Sequence, residues 1–225
     1  MAKPKVAFFD FASCEGCQLA FLNLEDVLLD ILGAVDLVEF REAMDNTAPH
    51  YDVALIEGSI IRPMDEERIR EVRKRTTYLV AMGACACTGG VNARANRWTR
   101  DELLARHYSE TRESLQGNAL WNVTGARPID AKVKVDYYLH GCPMVPAEAL
   151  YLVRSLLAGK VPHIPEHSVC LDCKGNENEC VFDQNRVCLG PITRGGCDSV
   201  CVNGGKVCDG CRGIVEKPND DAHRE

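Results

Sequence analysis

The chain lacks an apolar run long enough to cross a membrane, so no membrane span is expected within it. It also lacks a basic surplus. With 26 Lys and Arg against 33 Asp and Glu, the formal net charge is -7, which excludes non-specific nucleic-acid binding by displacement of phosphate counterions. Its first residues, Met-Ala-Lys-Pro-Lys, carry neither the apolar stretch nor the cleavage site of a secretory signal, and a cytoplasmic protein is the expectation. Beyond Pro165 hydrophobic periodicity disappears as well, and cysteine, glycine and polar residues take over.

What the chain has instead is 13 cysteines in 225 residues. In a reducing compartment disulfide frameworks are disfavoured, so cysteines at short spacings point to metal. Cys14, Cys17, Cys85, Cys87 and Cys142 are spread over the first two-thirds, and the other eight crowd between Cys170 and Cys211. That asymmetry predicts a domain over 1–164, a cysteine-rich domain over 165–213 and a polar tail over 214–225.

In the front module, residues 5–11, 35–40, 51–57, 77–82 and 133–139 are rich in β-branched and apolar side chains and read as strands. Helical patterns fall between them. Leu24, Val27, Leu28, Ile31 and Leu32 share one face, with Gly33 as the stop. Asp65 is the expected cap of a helix ending in Arg73, Lys74 and Arg75. Thr99 and Glu102 have capping-box spacing, and Pro146 fits the first turn of a helix through Leu157, ended by Gly159. This alternation predicts a flavodoxin-like, doubly wound parallel sheet, with its ligand beyond the carboxyl ends of the strands. Cys14 and Cys17 follow the first strand, Cys85 and Cys87 the fourth and Cys142 the last. Buried hydrophobe is an adequate account of one cysteine, and a poor one of five at strand ends. The loop after strand one reads Ser-Cys-Glu-Gly-Cys-Gln. Thiols stand where a phosphate-binding loop would carry Gly, Ser and Thr, so no flavin is expected in this chain.

The tail spaces its ligands as Cys170-x2-Cys173-x6-Cys180-x7-Cys188 and Cys197-x3-Cys201-x6-Cys208-x2-Cys211. Each group of four contains one C-x-x-C. So little apolar content requires bound metal to supply the cross-links. Zinc and iron–sulfur cubanes both accept four thiolates, and the tail alone does not choose between them. A C-x-x-C completed by single cysteines from distant loops, as in the front module, is unlike a zinc ribbon and favours clusters. Glycines 190, 195, 196, 204, 205 and 210 suit close backbone approach to cluster sulfur.

These motifs together resemble the small, electron-transfer subunit of nickel–iron hydrogenases. The matching residues are Cys14-Glu-Gly-Cys17, Ile56-Glu-Gly-Ser59, Gly83-Ala-Cys85-Ala-Cys-Thr-Gly-Gly90, Gly141-Cys142-Pro143, Cys188-Leu-Gly-Pro-Ile-Thr193 through Cys197, and Cys208-Asp-Gly-Cys211. The front set also resembles the cluster-bearing subunit of respiratory complex I, which has no eight-cysteine tail. A subunit of a complex I-like oxidoreductase and a zinc-stabilised interaction module are the alternatives.

The resemblance implies three 4Fe–4S clusters. Cys14, Cys17, Cys85 and Cys142 would hold the proximal one, Cys197, Cys201, Cys208 and Cys211 the medial, and Cys170, Cys173, Cys180 and Cys188 the distal, leaving Cys87 spare. Many membrane-bound members have a three-iron medial cluster and a His-x-x-Cys distal pair. Here Cys201 offers a fourth medial thiol, and Cys173 makes an all-cysteine distal set, with His167 expected in a solvated loop. Both departures resemble cytoplasmic, cofactor-linked hydrogenases of the sulfhydrogenase-like, heterodisulfide-reductase-linked or electron-bifurcating kinds. The implied partners are a large subunit carrying the nickel–iron site and an electron-accepting subunit of flavoprotein, deazaflavin-binding or heterodisulfide-reductase type. No catalytic acid, base or nucleophile is implied here. Glu15 and Glu57 are the acids nearest the proximal set. His140 is either a donor to cluster sulfur or a packed strand-end residue, and Arg94, Arg97, Arg100 and Arg106 read as one solvated or interface helix face.

Overall fold

The strands at the centre of the sheet carry unbroken apolar runs, as strands covered on both faces must. In the computed structural model, which describes residues 3–44, 46–164, 166–219 and 221, they are β1 (Lys5–Asp10), β3 (Tyr51–Glu57) and β4 (Thr76–Met82). β2 (Asp36–Phe40) and β5 (Tyr137–Leu139) form the edges. All pairings are parallel, in the order β2-β1-β3-β4-β5, which is the flavodoxin-like order with its switch point between β1 and β3. The register sets Asp10 beside Glu57 and Glu57 beside Met82, so these strands end at one level. Phe9, Phe11, Ile56, Ile69, Leu79 and Ile129 pack into one core cluster. Phe8 stacks on Phe40 at a centroid distance of 4.6 Å and meets Phe21 in a tilted contact at 4.9 Å.

β5 is shorter than the expected 133–139. The Asp136 carboxylate accepts the Leu79 N–H at 2.9 Å and an Arg73 guanidinium N–H at 2.6 Å, and its own N–H donates to Leu79 O. A side chain thus supplies a bond that the ladder would otherwise make.

The first-unit helices are α1 (Gly16–Leu22), α2 (Glu25–Ala34), α3 (Pro63–Lys74), α4 (Gly83–Thr88), α5 (Arg100–His107) and α6 (Arg112–Gln116). Two ends differ from expectation. α2 runs one residue past Gly33, and the chain turns extended at Val35. α3 is capped at Arg62, because Pro63 already holds a first-turn φ. Asp65 sits inside that turn, its carboxylate accepting the Arg62 N–H at 2.9 Å and salt-bridged to the Arg62 guanidinium. The Thr99–Glu102 capping box forms as its spacing predicts.

The chain divides into two compact units, the first ending at Leu139 and the second beginning at His140. The expected boundary at 164/165 therefore falls inside the second unit, where Pro165 is outside the described residues. The second unit contains α7 (Pro146–Leu157), α8 (Val169–Gly175) and α9 (Val200–Asn203). α7 buries Ala149, Leu152, Val153 and Leu156. The cysteine-rich part has only a small cluster of its own, Val169, Val181, Cys188 and Cys208. The polar tail is described through residue 219 and at 221. Among the described residues no helix is long and apolar enough to cross a membrane.

Candidate metal centres

The loop after β1 is built around a buried carboxylate. Glu57, 2% exposed at the end of β3, accepts the backbone N–H groups of Cys17 at 3.1 Å and Gln18 at 2.9 Å. A side chain forty residues away thus satisfies donors at the start of α1, on the switch-point side where a phosphate would sit in a nucleotide-binding relative of this fold. Glu15 is left-handed at φ 61, and a hydrogen bond from its protonated carboxyl to Glu42, aided by burial, pushes its pKa up. Cys14 is exposed, Cys17 is buried, and a Cβ on Gly16 would lie 3.3 Å from Cys14 Sγ.

After β4 the chain enters α4 and then a 3-10 turn over Gly90–Arg97. Gly90, at φ +55, lies so close to Cys85 that a Cβ would meet its Sγ at 2.9 Å. Asn92 donates to Ala12 O at 2.8 Å and Ser59 Oγ at 3.0 Å, tying the segment after Cys85 to the segment before Cys14. Cys85 is half-buried, whereas Cys87 lies in the sheet core with its Sγ toward Ala81 O and Leu139 O. Cys142 belongs to the second unit, in a turn where Gly141 adopts φ +129 and bridges Met144.

In the second unit Cys170, Cys173, Cys180 and Cys188 line one cavity, walled by Val169, Val181, Phe182 and Val202. A Cβ on Gly190 would sit 3.3 Å from Cys170 Sγ and 3.5 Å from Cys188 Sγ. Burial, then the neighbouring thiols led by Cys188, pushes the Cys170 pKa up to about 11. Burial also raises Cys197, Cys201 and Cys208. Thiols crowded in this way ionise readily only when a cation takes up their charge. Donors are in place for that state. The Cys208 N–H reaches Cys188 Sγ at 3.3 Å, and the backbone at Ser199 and Gly210 works to lower the Cys197 and Cys208 pKa against burial. After burial, Cys211 and Cys197 are the next causes that push the Cys201 pKa up. Thiol donors, glycine clearance and N–H···S bonds together fit an iron–sulfur cluster. Among the described residues no three His, Cys, Asp or Glu side chains close on a single-ion position.

Asn176 and Asn178 on one side and Asp198, Ser199 and Asn203 on the other lock the two halves of the tail through bonds of 2.7 to 3.5 Å. His167 lies in a bend and is partly exposed, as expected of a loop residue, but it is tethered: Asp172 holds its Nε2, and Gly195 donates to its carbonyl. Burial, with Arg194 and Arg212 nearby, lowers the His140 pKa to about 4, so it is neutral near pH 7. The four arginines do not form one helix face. Arg97 and Arg106 stack on Trp98 at 5.0 and 4.9 Å, and Arg100 donates to the Trp121 and Leu115 carbonyls. Arg94 lines a groove with His107 and Arg127. The Glu57 cap and the Asp172 tie had no signal in sequence spacing.

A flavodoxin-like sheet with cysteines in place of a phosphate loop, joined to a cysteine-rich second unit, fits the class of oxidoreductase subunits. The chain belongs to the family described as NADH ubiquinone oxidoreductase, 20 kDa subunit, which matches residues 14–156. It is 35% identical to sulfhydrogenase 2 subunit delta of Pyrococcus furiosus, over 93% of this chain and 86% of that protein. It is 31% identical to a vhu subunit of the F420-non-reducing hydrogenase of Methanocaldococcus jannaschii, over 96% of this chain and 84% of that protein. Among solved structures it resembles a chain of an NAD+-reducing NiFe-hydrogenase in the H2-reduced state. That match has a TM-score of 0.65 and 31% identity, covering 72% of this chain and 96% of that one. A Ni-Fe-Se hydrogenase of Desulfomicrobium baculatum, with TM-score 0.61 and 18% identity over 93% and 94%, shares the fold. The chain is therefore a hydrogenase-related subunit.

Proposed function

We propose that this chain is the electron-transfer subunit of a cytoplasmic nickel–iron hydrogenase, relaying electrons between a large subunit's nickel–iron site and a redox partner subunit. The observation that carries the reading is the cavity ringed by Cys170, Cys173, Cys180 and Cys188, four thiols from one tail set with glycine clearance at two sulfurs. The family match ends at residue 156 and speaks for the front module. The hydrogenase relatives extend over the tail as well, which favours hydrogenase over a complex I-like assembly.

In this reading Cys14, Cys17, Cys85 and Cys142 hold a proximal 4Fe–4S cluster, Cys197, Cys201, Cys208 and Cys211 a medial one, and Cys170, Cys173, Cys180 and Cys188 a distal one. Each cluster, when bound, supplies storage for one electron. The chain's residues fix the positions and surroundings of that storage. Glu57 holds the Cys17 backbone, Gly90 and Gly190 leave room beside sulfur, the Cys208 N–H donates to Cys188 Sγ, and the backbone at Ser199 and Gly210 works against burial at Cys197 and Cys208. The partners are a large subunit carrying nickel and iron, and an acceptor of flavoprotein, deazaflavin-binding or heterodisulfide-reductase type.

Anaerobic purification tests the proposal. Brown protein bleached by dithionite, with about twelve irons per chain, is expected from three cubanes. Colourless protein carrying zinc alone overturns it in favour of a zinc-stabilised module.

A further inference from the structure

The second unit buries an ion pair that the relay does not need for its ligands. Arg212, directly after Cys211, is 1% exposed. Its Nη2 donates to both carboxylate oxygens of Glu148, at 2.7 and 2.9 Å, and its Nη1 donates to His140 O at 2.8 Å. Its Nε is buried without an acceptor among the described residues. Burying a guanidinium is expensive, and packed apolar side chains of similar volume are often as stable or better. Stability alone is a poor reason for this pair.

Its position supplies a better one. Gly196, directly before Cys197, adopts φ +94. A Cβ there would fall 2.4 Å from Glu148 Oε1 and 3.0 Å from Arg212 Nη2. The pair therefore lies against backbone next to Cys197, and Arg212 itself extends from the residue after Cys211, the first and last members of one four-cysteine set. Asp172 accepts the Gly196 N–H at 2.7 Å and holds His167, and Arg194 is the other cation near His140.

We infer that Arg212 is the positioning cation that raises the reduction potential of the centre held by Cys197, Cys201, Cys208 and Cys211, with Glu148 as its anchoring and moderating counter-charge. The inference rests on the cluster reading above. Reduction adds one electron to the centre, and a fixed positive charge in a low-dielectric interior favours the reduced form. The unused Nε–H is a donor that a cluster sulfur is able to satisfy.

The test is an EPR-monitored redox titration of the anaerobically purified full chain, taking the signal altered by Cys201→Ser as that of the centre in question. Arg212→Met is expected to shift its potential downward, Arg212→Lys to stay nearer the parent, and Glu148→Gln to shift it upward. A merely structural pair predicts shifts of the same sign, or none, in Arg212→Met and Glu148→Gln, and either result overturns the inference. If Arg212→Met fails to retain the cluster, Glu148→Gln decides: a rise supports the assignment, and a fall or no change sinks it. Absence of any reducible cluster in the parent chain would instead remove the relay reading itself.

Discussion

Behind Cys14 and Cys85 stands a parallel sheet whose central strands bury Val6 through Phe9, Val53 through Ile56 and Leu79 through Met82. Behind Cys197 and Cys211 stand a few valines, an asparagine–serine lock and one buried ion pair. The first unit's order is carried by its apolar core, so on the proposed reading Cys14, Cys17 and Cys85 would be presented by a finished scaffold. The described cysteine-rich segment has too small an apolar cluster for that, and on the proposed reading its metal would be part of its fold.

Stripping iron should break the comparison most visibly. Amide protection or protease resistance over 165–213 is expected to be lost, while β1, β3 and β4 keep theirs; equal protection across both units would refute the distinction. Next in size, Cys85→Ser is expected to lose about a third of the bound iron, one cubane of three, whereas Cys87→Ser keeps all of it. An iron count with those outcomes exchanged would overturn the ligand assignment. Glu57→Ala leaves the buried Cys17 and Gln18 N–H groups without their acceptor, and should lower first-unit stability by about 1–3 kcal/mol. Denaturant unfolding of the variant checks this. Thr99→Ala, which removes only the α5 cap, should cost about 1 kcal/mol without changing the iron content.

The strands were legible because apolar runs and strand ends are local. Residues 51–57 and the Pro146–Leu157 helix have the bounds that their composition predicts. The departures come from side chains doing backbone work. Asp136 replaces a ladder bond, and Asp65 serves Arg62 from inside the helix. Spacing likewise proposed the tail sets, and one of them lines a single cavity. It had no means of showing that Glu57 reaches α1, that Asp172 holds His167, or that Arg212 meets Glu148. The first and last of these join residues brought close only by the fold.

One hydrogen bond in the tail bears on how the subunit is matured. The Cys208 N–H donates to Cys188 Sγ, so the backbone of a ligand in one proposed set organises a sulfur of the other. Filling either centre would then leave its neighbour half-prepared, and emptying one would loosen the next. Loss of one tail centre is therefore expected to lower, without abolishing, iron occupancy at the other.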